Sequence, residues 1–260
     1  MRLHTRTTIP EEVLERMPHR IVLTLTPSKH HAAIAAAPAQ QLEYHGGPLL
    51  TSIQIKAVFW GDAWHNDTSA VAMKPQIEKF LQWIVTSALV DQMAEYSTAT
   101  QQIVRGAYQG SALIPGTVAA TVTDADVQNQ LTNFWKSQPN LGASALWPVF
   151  LPPNVQISAF NQRSCVDFCG YHEAVSNTAY AVVPFPDCSS CIGNMQPFDS
   201  LTTVVSHEVC EAITDPFANG WYAPNGYEIG DLCAVPTWQT KTLNGYTVQK
   251  EWSNKNSGCV

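Results

Sequence analysis

The sequence predicts an α/β fold: a mixed sheet with helices packed on it and a C-terminal part stapled by disulfides. Three observations carry this expectation. Segments of strand composition alternate with segments of helical periodicity through residues 45–260, which points to layers of helix on sheet. All seven cysteines lie at or beyond residue 165. A helix with an adjacent His-Glu pair comes late, after most of the strands.

Residues 1–44 stand apart from this pattern. "SKHHAAIAAAPAQQ" is Ala-rich, and only "RIVLTLTP" shows any regular patterning, so the segment reads as a leader, a propeptide or a mobile arm. No internal repeat is visible. From "HGGPLL" onward, "SIQIKAVFWG" is a strand rich in β-branched and aromatic residues and ended by Gly61. "AVAMKPQIEKFLQWIVTSALVDQM" keeps helical spacing through Ile77, Phe80, Leu81, Ile84 and Leu89. "DADVQNQLTNFWKS" is a second helix, capped by Thr123 or Asp124. "ALWPVFLPP" is a short buried strand stopped by prolines, and "AYAVVPF" is a strand that follows a Cys-rich loop. The helix containing "VVSHEVCEAITDP" then starts at an N-cap of Asp199 or Ser200 and ends at Pro216. "NGYTVQKEW" supplies a last strand.

Composition narrows the function classes. The net charge of −7 leaves no basic stripe to displace counterions from phosphates, which argues against nucleic acid. No apolar run approaches the roughly 20 residues needed to cross a membrane. A charged fraction of 13% with eight tryptophans suits a secreted protein, which is expected to be a monomer. The start of the chain has no apolar stretch of the kind a signal peptide needs. "CVDFC" and "CSSC" have spacing tolerable for a four-thiolate zinc site, but two disulfides are preferred, because Cys233 and Cys259 look like a third pair. Cys210 is then the odd thiol, read as a small buried apolar residue.

On a helix, residues four apart share a face, so His207 and Glu211 can reach one ion together. Glu208 projects beside them and can take a proton from a water on that ion, the logic of the His-Glu-x-x-His zinc helix. A carboxylate binds zinc at nearly the distance an imidazole does, so Glu211 can replace the second histidine. The β-branched "TTVV" makes a poor helix start, so tertiary burial must enforce this helix, and charges on a buried helix need a reason. Downstream, "GYEIGDLC" offers Glu228 and Asp231, with Glu228 as third ligand and Asp231 as its outer partner, or the reverse. Asp215 fits better as a helix end. His172 in "CGYHEA" could be a further ligand, but a hydrogen-bonded structural role is the preferred reading. Tyr222 could stabilise an oxyanion. Zinc is the expected ion, with calcium or manganese also suited to so many carboxylates. The element order, with this helix beneath the sheet, is compatible with a single zincin-like domain over residues 45–260.

"YHGGPLLTSIQIKAVFWGDAW", "DFCGYH" and above all "VVSHEVCEAITDPFANGWYAPNGYEIGDLC" resemble the Exordium-like (phosphate-induced protein) family of extracellular proteins. That motif falls on His207, Glu208, Glu211, Pro216, Trp221, Tyr222, Glu228, Asp231 and Cys233. The resemblance implies a secreted, disulfide-bonded protein in which Glu211 belongs to the pattern. Three functions then compete. One is a secreted zinc-dependent hydrolase of peptides or proteins, with Glu208 as general base. Another is a non-catalytic extracellular protein with a structural metal site or a buried polar network. The third is a glycosidase working through paired carboxylates such as Glu208 and Glu228.

Overall fold

The computed structural model describes residues 21–23, 41–234 and 238–260. Its centre is a six-stranded sheet made of β1 (Ile21–Leu23), β2 (Ser52–Trp60), β3 (Val104–Ile114), β4 (Ala145–Phe150), β5 (Phe168–Val175) and β6 (Thr178–Val183). The spatial order is β1-β5-β6-β4-β2-β3. Strands β3, β2, β4 and β6 run parallel, and β5 runs antiparallel to β6 and to β1. The expected mixed sheet is therefore present, with one reversed strand inside its edge.

Strand β2 shows why the sheet needs cover on both faces. Ile53, Ile55, Ala57 and Phe59 alternate onto one face and Val58 and Trp60 onto the other, all of them buried in two separate clusters. The first face is covered by α1 (Thr68–Ile84), α2 (Ala88–Met93) and the late helix α4 (Pro197–Thr214). The second is covered by α3 (Asp124–Trp135), whose Val127 and Leu131 meet Trp147 and Val149. The long helix expected over residues 70–93 is in fact two. Its spacing is interrupted where the Ser87 hydroxyl accepts from Leu89 N, capping α2 and restarting the helix. Thr123 caps α3 in a reciprocal capping box with Asp126.

Helix α4 begins earlier than its sequence suggests. Pro197 opens it in the first-turn position that proline favours, and Gln196, not Asp199 or Ser200, is the N-cap. Every residue from Ser200 to Thr214 is buried, so packing overrides the weak propensity of the β-branched start, as expected. Its polar edge is held by hydroxyls: the Thr202 hydroxyl donates to Thr247 O (2.6 Å), and that of Ser206 accepts from Gln249 N (2.9 Å). These bonds dock the hairpin β7 (Thr240–Leu243) and β8 (Tyr246–Gln249) on the helix.

Three disulfides staple this part of the molecule: Cys165–Cys188, Cys169–Cys191 and Cys233–Cys259. Cys210 is the free, buried thiol. The last bridge ties α5 (Asp231–Ala234) to the C-terminal strand. Most of the segment read as a leader or propeptide lies outside the described residues. Its end does not stand apart: Leu42 is buried and Glu43–Tyr44 pairs with Trp221–Tyr222. Strand β1 joins the sheet opposite Phe168, Gly170 and Tyr171, its backbone running beside α4 and α5. Among the described residues no helix is long and apolar enough to cross a membrane.

Candidate metal centre

Four structural pieces bring their polar side chains to one place. Helix α4 supplies His207, Glu208 and Glu211, strand β5 supplies His172, and the segment ending in α5 supplies Glu228 and Asp231. The fourth piece, β8, supplies Gln249. All are buried, none above 3% exposure, so no bulk water offsets their charges.

His207 defines the first half. Gln249 donates its amide N–H to Gly230 O (2.6 Å), which leaves Gln249 Oε1 as an acceptor facing His207 Nδ1 at 3.1 Å. The proton of a neutral His207 is thereby placed on Nδ1, and Nε2 presents a lone pair. That lone pair faces Glu211 Oε1 at 3.0 Å and Asp231 Oδ1 at 3.9 Å. Neither contact has the direction of a hydrogen bond, and His207 Nε2 has no hydrogen-bond partner. A nitrogen lone pair turned toward two carboxylate oxygens is repulsive unless a proton or a cation lies between them. Gly230 lets the segment come this close, because a Cβ there would stand 2.4 Å from His207 Nδ1.

Asp231 is itself positioned. Its Oδ2 accepts from Glu228 N (3.0 Å), and its own N–H donates to Glu211 Oε1 (3.2 Å). Glu228 faces the other way. Its Oε1 lies 3.6 Å from His172 Nε2, while His172 Nδ1 is 3.5 Å from Glu211 Oε2 and 3.2 Å from Glu208 Oε2. Asp231, then, stands with His207 and Glu211, and Glu228 stands with His172 on the far side of Glu211. The imidazole of His172 lies between Glu208 and Glu228, meeting the first through Nδ1 and the second through Nε2.

The proton affinities record the crowding. Burial alone would lower the pKa of His207, but Glu211, with Glu208 and Asp231, outweighs it and drives the pKa well above the usual value. Burial would raise Glu211, yet the two histidines pull it down to about 2. Burial pushes Glu208 up against the opposing pull of His172. Burial, then repulsion from Glu211, pushes Asp231 well up. Where a bound cation is missing, protons are the only other way to neutralise the cluster.

The donor set fits a divalent cation. Bonds of about 2.0–2.2 Å to a shared ion put neighbouring donor atoms roughly 3.0–3.6 Å apart, as His207 Nε2 and Glu211 Oε1 are at 3.0 Å, with Asp231 Oδ1 farther off at 3.9 Å. Two groups have one ligand atom per residue within 4.8 Å of one another: His207, Glu211 and Asp231, and His172, Glu211 and Glu228.

Other expected residues lie outside this cluster. Tyr222 is half-buried with its ring stacked on His45 at 3.5 Å, and among the described residues no hydrogen bond joins it to the centre. Trp221 packs on Tyr44 and Tyr96 as core. Asp215 ends α4, its Oδ1 accepting from Asn219 N and Gly220 N (2.7 Å each), the turn role its sequence context suggests. His172 holds a more central place than its sequence context suggested, and Gln249 gave no sequence signal. Glu251 gave none either, although it is fully buried beside Cys210 and burial pushes its carboxyl well above the usual range. Comparisons with family models, with curated proteins and with solved structures returned no match.

Proposed function

We propose that this protein is an extracellular metal-dependent hydrolase of peptides, with a zincin-like fold and kinship to the Exordium-like family. The observation that carries the reading is Nε2 of buried His207, which has no hydrogen-bond partner and faces oxygens of Glu211 and Asp231 at 3.0 and 3.9 Å. Zinc is the proposed ion, although one nitrogen and two carboxylates make a harder donor set than most zinc sites. A divalent ion held there would acidify a water and polarise a carbonyl.

The chain's own part of the chemistry falls to Glu208. Its Oε2 is held by His172, its Oε1 has no hydrogen-bond partner, and burial raises its pKa against the pull of the two histidines. Glu208 Oε1 receives the proton from the attacking water and returns it to the leaving amine. The sheet supports a peptide as substrate. Strand β1 of this chain already lies extended along β5, with Ile21 opposite Tyr171, the residue before His172. A backbone strand can therefore run beside the centre, paired by main-chain hydrogen bonds. A strand, a long helix, further strands and then the His-Glu helix against the sheet are an order compatible with a zincin-like architecture. Three disulfides are compatible with an oxidising, extracellular setting.

Complete burial favours a second reading, a structural metal that clamps α4, β5 and α5 together, since a catalytic ion keeps an open position. Glu208→Gln decides between them. For a hydrolase, turnover of an unstructured peptide library falls by a factor of about 10²–10⁴, with metal content and melting temperature unchanged. Metal-loaded wild type that cleaves nothing, with or without residues 1–40, would leave the structural reading standing.

A further inference from the structure

We propose that the centre takes two divalent cations with the Glu211 carboxylate bridging them. On this account, which rests on the metal reading above, Oε1 of Glu211 shares one ion with His207 and Asp231. Its Oε2 shares the other with His172 and Glu228.

The first support is geometric. Glu211 belongs to both groups of potential ligands, and each of its oxygens faces a different histidine: Oε1 to His207 Nε2 at 3.0 Å, Oε2 to His172 Nδ1 at 3.5 Å. Each half then has the same make-up, one imidazole, one terminal carboxylate and one oxygen of the shared carboxylate. A bridging carboxylate of this kind sets metals about 3.5–4 Å apart, as in two-metal hydrolases.

The second support is independent of the cluster's composition. Glu211 Oε2 is fully buried and has no hydrogen-bond partner, and neither has Glu208 Oε1 or His207 Nε2. An ion placed only at the His207 side would satisfy His207 Nε2 and leave Glu211 Oε2 bare inside the protein. Bare buried carboxylate oxygens are costly, and a cation on that side removes the cost.

Charge leads to the same conclusion. Glu208, Glu211, Glu228 and Asp231 crowd their carboxyl groups into one place, each at most 3% exposed. With both histidines neutral, as ligands must be, one divalent ion offsets half of that negative charge and two offset all of it. His172 turns Nδ1 toward Glu208 Oε2 (3.2 Å) and Glu211 Oε2 (3.5 Å), and Nε2 toward Asp215 O (3.2 Å) and Glu228 Oε1 (3.6 Å). Ligation through Nδ1 keeps Asp215 O as the partner of Nε2–H, replaces the contact with Glu208 and requires the Glu228 carboxylate to swing toward Nδ1. An acceptor at one ring nitrogen is how ligand histidines are usually held.

Mn2+ is the probe, because it reports both number and proximity. The full chain, stripped with chelator and dialysed, is titrated with Mn2+ while free ion is followed by electron paramagnetic resonance. We expect two equivalents bound per chain and, in the frozen loaded protein, an exchange-coupled spectrum with hyperfine spacing half that of isolated Mn2+. His172→Ala, or the milder Glu228→Gln, should bind one equivalent and give an isolated-ion spectrum. One equivalent in the wild type overturns the second ion and leaves the single-ion reading intact. Two equivalents without coupling overturn the bridge. No binding at all overturns both readings.

Discussion

Gln249→Leu isolates the step by which the fold prepares His207 to bind a cation. The substitution keeps the volume of the side chain roughly constant and removes two bonds, the 3.1 Å contact with His207 Nδ1 and the 2.6 Å donation to Gly230 O. Nothing in the leucine side chain can then fix the Nδ1–H tautomer. Loss of such an orienting partner costs about 10–100-fold in metal affinity, roughly 1.4–2.8 kcal/mol. Gly230 O also loses one of its two donors, keeping Cys233 N at 2.9 Å, which destabilises the metal-free protein by about 0.5–1.5 kcal/mol. The two effects separate cleanly in experiment. Zinc dissociation constants come from competition with a chromophoric chelator at pH 7.5, and melting temperatures are recorded with and without excess chelator. The expected result is weaker zinc binding for Gln249→Leu, beyond the stability loss seen in the chelated protein. An affinity within twofold of wild type would refute the claim that Gln249 sets the state of His207. Gln249→Glu tests the sign: it restores an acceptor for Nδ1–H and should recover most of the affinity.

Gly230→Ala should lower both stability and metal affinity, because the new Cβ would fall 2.4 Å from His207 Nδ1; overpacking of about 1–3 kcal/mol is expected in chelated thermal melts. The chelated protein should lose stability as pH rises from about 5 to 8. His207 has a raised folded pKa, so its contribution is complete below its unfolded value near 6.5 and fades as pH climbs through the folded value. Glu208, Asp231 and Glu251 are raised too, so their contributions fade from about pH 4 upward. Glu211 works oppositely, contributing above about pH 4.5 and losing this toward pH 2. Metal-loaded protein should reverse the neutral-range slope, since the ion displaces these protons; a chelated melting temperature that rises between pH 5 and 8 would contradict the proton placement. Replacing Cys233 and Cys259 by serine opens a bridge of sequence separation 26 and should cost about 3–4 kcal/mol by the chain-entropy estimate, read from urea unfolding. Metal affinity should fall with it, because Asp231 sits on the helix that this bridge anchors.

What could be read from the sequence was local. The 207–211 spacing puts both side chains on one helix face without any knowledge of the fold. The β-branched start of α4 signalled burial because a helix with so little propensity must be held by packing. The cysteine pairs in "CVDFC" and "CSSC" do bridge, each to the other motif, and Cys233 does meet Cys259. Residues placed by pairing register were hidden. His172 reaches the centre because β5 turns back antiparallel on β6, Ala181 opposite His172, inside what read as a Cys-rich loop. Gln249 is a neutral amide in a hairpin, and only the docking of β8 on α4 reveals its role. The split between Glu228 and Asp231 also could not be deduced, since three residues of chain around Gly230 decide which carboxylate turns to which histidine.

Metal content measured by mass spectrometry on protein purified without added metal, for wild type and His207→Ala side by side, tests the central claim most directly. The predicted result is at least one tightly held divalent ion per wild-type chain, and a loss of about one equivalent in the folded variant. Folded wild type that contains no divalent metal, and takes up none after zinc or manganese is supplied, would contradict it.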